Sequence, residues 1–92
     1  MIYKLISTNR FKKSLKLAIK RNLDITLLNS IIDTLRQNIP LEAKYKDHNL
    51  IGSYSEFREC HIQPNWLLVY LKNNNTLTLT LIDTGSHSDI FK

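Results

Sequence analysis

The sequence predicts an α+β fold: an N-terminal helical pair packed on a small, mainly antiparallel sheet. Three observations carry that reading. Apolar residues in the first 39 positions recur at helical spacing. Residues 57–81 switch to the short continuous or alternating apolar runs of strands. The links between those runs are only about three residues long, which joins neighbouring strands antiparallel. A chain of 92 residues supports one core, so residues 1–92 are read as a single domain.

Each element has its own signal. Ile2–Ile6 alternates weakly and reads as a short strand, after which Ser7, Thr8 and Asn9 offer helix caps. Between Arg10 and Arg21, the residues Phe11, Leu15, Ala18 and Ile19 fall on one helical face, with Lys12, Lys13, Lys16 and Lys20 mostly on the others. Asp24 caps a second helix with the stripe Leu28, Ile31, Ile32, Leu35 and Ile39, which Pro40 ends because the residue before proline avoids helical angles. Lys44–Tyr54 reads as a connecting loop. Phe57–Ile62 and Trp66–Leu71 are strands joined by a turn at Gln63-Pro64-Asn65. Asn73-Asn74-Asn75 supplies the next turn, since asparagine tolerates left-handed backbone angles. Thr76–Leu81 alternates strictly, as a strand with one buried face does, and Thr84–Lys92 is left as a tail.

Composition narrows the function. The apolar fraction of 42% is that of a globular protein, and Cys60, the sole cysteine, rules out an intramolecular disulfide and fits a reducing cytoplasm. The longest apolar run, Trp66–Leu71, is too short to span a bilayer, and the first residues lack the apolar core of a signal peptide, so no membrane partner is expected. Charge is unevenly spread: residues 1–46 carry ten basic and three acidic side chains, a net +7, and residues 47–92 a net −2. A basic half points to an anionic partner, nucleic acid first.

All three histidines, His48, His61 and His87, lie in the sheet half. Alternation puts Phe57, Glu59 and His61 on one face of their strand and Arg58, Cys60 and Ile62 on the other, so Glu59 and His61 are expected to share a cleft. Nothing resembles the paired ligands of a zinc site, so no metal and no cofactor is expected. With only Gly52 and Gly85 there is no glycine-rich phosphate loop, and no strand–turn–helix elbow carries a nucleophilic serine.

Taken in order, the segments Lys44-Tyr-Lys-Asp-His48-Asn-Leu50, Gly52-Ser53, Phe57-Arg-Glu-Cys-His61-Ile62, Pro64-Asn-Trp66, Leu68-Val-Tyr70 and Thr84-Gly-Ser-His87-Ser-Asp-Ile-Phe91 closely resemble the YafQ-like branch of the RelE toxin superfamily. The resemblance runs the length of the chain. It implies helices against a mostly antiparallel sheet, and a metal-independent endoribonuclease that cuts mRNA on the ribosome and is neutralised by a cognate antitoxin. It implies functional positions at His48, His61, Trp66, His87 and Phe91, with an acid at Glu59. The corresponding chemistry is attack of a ribose 2′-OH on the adjacent phosphate. Histidine suits both proton transfers, each worth roughly 10²–10⁴-fold. His87 is expected as the acid, His48 and His61 as base and phosphate-orienting groups, and Trp66 and Phe91 as stacking platforms worth about 1–3 kcal/mol per base; the alternative is ordinary core packing, which suits Trp66 better than the penultimate Phe91. The basic helix, through Lys12, Lys13, Lys16 and Lys20, is expected to meet ribosomal RNA or the antitoxin.

Two positions depart from the resemblance. Asn65 stands where an acid is common, and Asp83 where an arginine is. Asp83 is expected on the Leu77/Leu79/Leu81 face near the surface, either repelling the phosphorane and slowing the enzyme or pairing with a histidine. Arg58 or Lys46 is then expected to supply the missing positive charge. The departures also leave open a non-enzymatic or degenerate member that inhibits a protein such as DNA gyrase or only binds antitoxin. A plain RNA-binding module is a third reading, which leaves the histidines unused.

Overall fold

In the computed structural model, which describes residues 2–91, two threshold residues set where the long helices start. Thr8 accepts a hydrogen bond from the Phe11 amide (3.1 Å) and begins α1 (Asn9–Lys20). Asp24 does the same for the Leu27 amide (3.2 Å) and begins α2 (Ile25–Arg36). Both helices stop at asparagines in the left-handed region, Asn22 (φ 58°) and Asn38 (φ 59°). Each closes with paired bonds back to the last turn, Leu23 N to Ala18 O and Asn22 N to Ile19 O, then Ile39 N to Thr34 O and Asn38 N to Leu35 O. Asn38, and not Pro40, therefore ends α2.

The sheet has five strands in the order β1-β5-β4-β3-β2: β1 (Lys4–Ser7), β2 (His48–Asn49), β3 (Arg58–Gln63), β4 (Trp66–Asn73) and β5 (Thr78–Gly85). Strands β2 to β5 pair antiparallel, and β1 joins β5 in parallel, while the two helices carry the chain from β1 to β2 at the opposite edge. The fold class expected from periodicity is the one observed. Several boundaries differ. The strand read at residues 2–6 is shifted to Lys4–Ser7. The supposed loop 44–54 contains β2 and two turns of 3-10 helix, Ala43–Tyr45 and Gly52–Tyr54. The supposed tail finishes β5 and then forms a short helix, α3 (His87–Ile90); Lys92 lies outside the described residues. In the β4–β5 turn the left-handed residue is Leu77 (φ 52°), so Leu77 leaves the alternating stripe that Leu79 and Leu81 continue.

Both faces of the sheet are covered, unequally. On one, α1 and α2 press Phe11, Ala18, Leu28, Ile31, Ile32 and Leu35 against Cys60, Ile62, Leu68, Tyr70, Leu79 and Leu81. Ile19, within α1, and Ile39, beyond the end of α2, are half exposed. On the other face, α3 and the segment before β3 bring Ile90, Phe91, Leu50 and Phe57 against Leu67, Val69 and Ile82. Burying each large apolar side chain stabilises the fold by about 1.5–3 kcal/mol.

Candidate active site

The smaller face carries the histidines. His48 and Glu59 are direct cross-strand partners in the β2–β3 pair, which places both side chains on this face. His48 Nε2 lies 3.1 Å from Glu59 Oε2, and His48 Nδ1 lies 2.6 Å from the Lys46 carbonyl. His61 is two residues beyond Glu59 on β3 and so shares its face; its ring centroid is 6.4 Å from those of both His48 and His87. His87 opens α3, with Nε2 3.8 Å from Glu59 Oε1. The three imidazoles thus form a row over one carboxylate that is 3% exposed, while the His48 and His87 side chains are 48% and 65% exposed.

The hydrogen bonds constrain the protons. A carbonyl only accepts, so His48 Nδ1 donates to Lys46; Nε2 then faces a carboxylate oxygen. His48 is thus held at both ring nitrogens, by the Lys46 carbonyl on one side and the Glu59 carboxyl on the other. Glu59 Oε1 has no hydrogen bond among the described residues, and His87 Nε2 approaches it to 3.8 Å. A buried carboxylate so placed needs cationic company, and two imidazoles can supply it.

α3 is held in place by more than its own turn. Ser86 and Asp89 form a reciprocal capping box, and Arg21 at the end of α1 bonds Asp89 Oδ2 at 3.1 Å. The Ser86 amide bond, then Arg21 and the Ser86 hydroxyl, hold the Asp89 carboxyl below the usual carboxylate range. At the far end of α3 the Phe91 ring stacks 5.4 Å from that of His87 and meets Tyr54 edge-on at 5.7 Å.

Comparison with known proteins places the chain in a family. The family model described as a bacterial toxin of type II toxin-antitoxin systems, YafQ, matches residues 3–92. The chain belongs to the YafQ toxin family. It is 36% identical over 85 residues to the mRNA interferase toxin YafQ of Escherichia coli K12, covering 91% of this chain and 90% of that protein. Its fold superposes on the toxin of the E. coli DinJ–YafQ toxin-antitoxin complex with a TM-score of 0.91, at 33% identity and full coverage of both chains. A metal-bound toxin from Helicobacter pylori matches with a TM-score of 0.92 at 40% identity, over 98% of this chain and all of that one. Among the described residues of the present YafQ-family chain, no group of three or more His, Cys, Asp and Glu side chains is arranged to hold a metal ion.

Not every residue expected at the site is there. Trp66 is 3% exposed, packs in the helix-side core and donates from Nε1 to Thr84 Oγ1 at 2.8 Å. A ring so enclosed cannot stack on a base. Arg58 points to the opposite face from Glu59, where Asp47, Asn49 and Tyr70 engage its guanidinium. Burial works against its charge, but the hydrogen bonds with Tyr70 and Asp47 and the Asp47 charge outweigh it and raise its pKa. Arg58 is thus committed to the fold and does not supply charge to the histidines. Lys46 remains exposed, its backbone steering His48. Cys60 faces the core, where burial pushes its thiol up to about 12 and leaves it unreactive.

Asp83 is the largest correction. The β4–β5 register slips between Val69 and Tyr70, making Ile82 an extra residue, so Asp83 leaves the Leu79/Leu81 alternation. It is 3% exposed, far from a surface position. Its partners are Arg10 (2.7 Å) and Ser14 (2.5 Å) of α1, and no histidine contacts it among the described residues. Substituting arginine here would therefore bury a second guanidinium beside Arg10, and no gain in rate is expected from it. Arg10, Tyr54 and the capping box are contributors that the sequence reading lacked. Ser86-x-x-Asp89 was a visible capping pattern; a pair 73 residues apart was not.

Proposed function

We propose that this chain is an mRNA interferase, the toxin of a type II toxin–antitoxin pair, and that His48, Glu59, His61 and His87 carry a metal-independent cleavage of RNA. The observation that supports it best is the row of three imidazoles over one buried carboxylate. In-line attack by a ribose 2′-OH needs a group to take the 2′ proton and one to protonate the leaving 5′-oxygen. The more exposed of the two imidazoles beside the carboxylate, His87, is the acid, with its edge turned to solvent where substrate would approach. His48 and His61 share base and phosphate-orienting roles. Glu59 has no access to substrate and acts as a positioning residue that fixes the tilt and charge of His48 and His87. Phe91 stacks on a base and the Lys46 ammonium approaches the phosphate. The partners are a cognate antitoxin, mRNA and the ribosome, all in the cytoplasm.

The test is single-turnover cleavage of a ribosome-bound message in EDTA, with wild type and His87→Ala compared. Wild type should cut, and the variant should lose at least roughly 10²-fold with an unchanged melting temperature. Growth arrest by wild type without any RNA cleavage would instead mark a toxin that acts on a protein. Full activity of His87→Ala would remove the acid from this scheme.

A further inference from the structure

The pair formed by Arg10 and Asp83 does more than close a gap between α1 and β5. Both Asp83 oxygens are filled from behind: Oδ2 by Arg10 Nε at 2.7 Å, Oδ1 by Ser14 Oγ at 2.5 Å and the Thr84 amide at 2.9 Å. Arg10 Nη2 donates to the Ile90 carbonyl at 3.0 Å, on α3. Two of the five guanidinium N–H groups are thereby spent, and the other three find no acceptor among the described residues. The side chain is 59% exposed, yet it is fixed at two points, so its free edge is held toward solvent in one orientation. An arginine serving only to neutralise Asp83 would turn two nitrogens to the carboxylate. This one gives it a single N–H.

The surroundings suit an anion. Arg10 lines an open cleft with Lys13, Asn9, Tyr54 and Ile90. The first turn of α1 has no acidic residue. Asp89 also borders the cleft, but Ser86 and Arg21 already engage its carboxylate. Asp83 also lines the cleft but is 3% exposed and bonded to Arg10, so an incoming phosphate meets the guanidinium first; with Asp83 paired to Arg10 and Asp89 to Arg21, Lys13 is left as the unpaired charge. Tyr54 joins the cleft to the Phe91 ring and, through it, to His87. We propose that Arg10, held by Asp83, is a substrate-binding residue that grips a backbone phosphate of the RNA on the α3 side of the scissile bond. The inference rests on the reading of RNA as substrate, and it assigns Arg10 to binding and positioning, outside the proton transfers.

Single-turnover cleavage of a ribosome-bound message, followed against protein concentration at several salt concentrations, tests it. Arg10→Gln should raise the half-saturating concentration about tenfold, the effect of one charge-assisted hydrogen-bonded contact. It should flatten the salt dependence by about 0.7 in log–log slope, the value for one phosphate on a single strand, and leave the maximal rate within about twofold. Arg10→Lys keeps the ion pair and serves as the folding control; it should bind between wild type and Arg10→Gln. Asp83→Asn is the sharpest arm. If the surface acted through net charge alone, removing a carboxylate would tighten RNA binding; if Asp83 anchors the guanidinium, binding weakens. Unchanged half-saturation and slope in Arg10→Gln, a loss confined to the maximal rate, or tighter binding by Asp83→Asn would each overturn the proposal while the nuclease reading stands. A wild type that cuts no RNA overturns both.

Discussion

The two faces of the sheet are made by the same strands and serve opposite ends. The face under α1 and α2 is sealed: Leu28, Leu68, Leu79, Cys60 and Tyr70 are all but inaccessible, and its polar atoms are satisfied at the margins by partners such as Asp47 and Thr84. The opposite face has a smaller apolar patch around Leu67, Val69 and Ile90, and beside it sits a buried carboxylate with one unbonded oxygen and three imidazoles open to solvent. Such a cluster contributes little to stability and costs some through desolvation. The difference teaches where each burden lies. One face holds the fold together, which leaves the other free to keep charge and exposure where chemistry needs them.

Adjacent residues of β4 sharpen that contrast most, because Leu67 and Leu68 are both 0% exposed but face opposite ways. Leu68→Ala should cost stability near the upper part of the 2–5 kcal/mol range, since the helix-side core is hemmed in and collapses poorly. Leu67→Ala should fall near the lower part, because α3 can settle into the space. Its cleavage rate should nevertheless drop more than the unfolded fraction explains, as Leu67 opposes His61 on β3 and supports Ile90 under His87. Chemical denaturation and single-turnover rates on the same two proteins decide this; equal stability losses with no excess rate loss would erase the division of labour.

Glu59→Gln probes the other face directly and comes next in size. The amide keeps volume and can donate to His48, but it removes the negative charge that lies between His48 and His87. The maximal rate should fall roughly 10–100-fold, the usual consequence of losing a partner that orients a catalytic group. Half-saturation should not move, in contrast to Arg10→Gln, and melting temperature should hold or rise. A large drop in stability would make Glu59 a structural residue instead.

How much of this was legible in the sequence follows the same division. The helix-side face is built from regular elements whose period shows in the chain, so Phe11, Ala18, Leu28, Ile31, Ile32 and Leu35 could be named as core from spacing alone. His48, Glu59, His61 and His87 were legible by order and resemblance, with alternation correctly pairing Glu59 and His61 on one face of β3. The misplacements cluster where a single residue breaks the period. Ile82 is an extra residue in β5 that turns Asp83 away from its expected face, and Leu77 takes a left-handed turn that alternation cannot foresee. For Trp66 the structure selects core packing over stacking, and Arg58 leaves the site, because a polar atom on an aromatic or a cation on a strand does not reveal whether its partner, here Thr84 or Asp47, lies inside the fold. Two-residue β2 carries no periodic signal at all, yet it brings His48 to Glu59.

The tie between α1 and α3 gives a smaller, pH-dependent effect. Asp89 is held below the usual carboxylate range, so its charged form is favoured in the folded state. Its contribution is fully present above the ordinary carboxylate value of about 4 and is lost as pH falls through that range toward the lowered one. Amide resonances of Ser86 and Ile90 should therefore shift below about pH 4 in wild type and stay flat there in Asp89→Asn. At neutral pH, Asp89→Asn should lower the maximal rate only a few-fold, since the Ser86 cap and Phe91 packing remain. A shift in these amides that persists in the variant would assign the transition to another group.

The smallest expected effect on the molecule itself concerns the outer surface of α1. Lys12, Lys13, Lys16 and Lys20 are exposed, and none has an acidic partner within 4 Å among the described residues, in contrast to Arg10 and Arg21, which are both paired. Their charges therefore cost little to remove: Lys16→Glu with Lys20→Glu should change stability by no more than about 0.5 kcal/mol. The same change should matter for encounter with an acidic partner, because several unpaired charges on one surface raise association rates through a field that salt screens. Association with the cognate antitoxin, or with ribosomes, should slow several-fold at low ionic strength and converge with wild type above about 0.5 M salt, where the screening length is only a few ångströms. Lys12, Lys16 and Lys20 follow one another at four-residue spacing and form a continuous row, whereas Lys13 borders the Arg10 cleft. Reversing the row should thus alter association without changing the maximal cleavage rate, and Lys13→Glu should instead mimic Arg10→Gln in its half-saturation. If row and cleft variants prove indistinguishable in every assay, α1 acts as one diffuse basic surface, and the distinction drawn between its docking row and its substrate edge is lost.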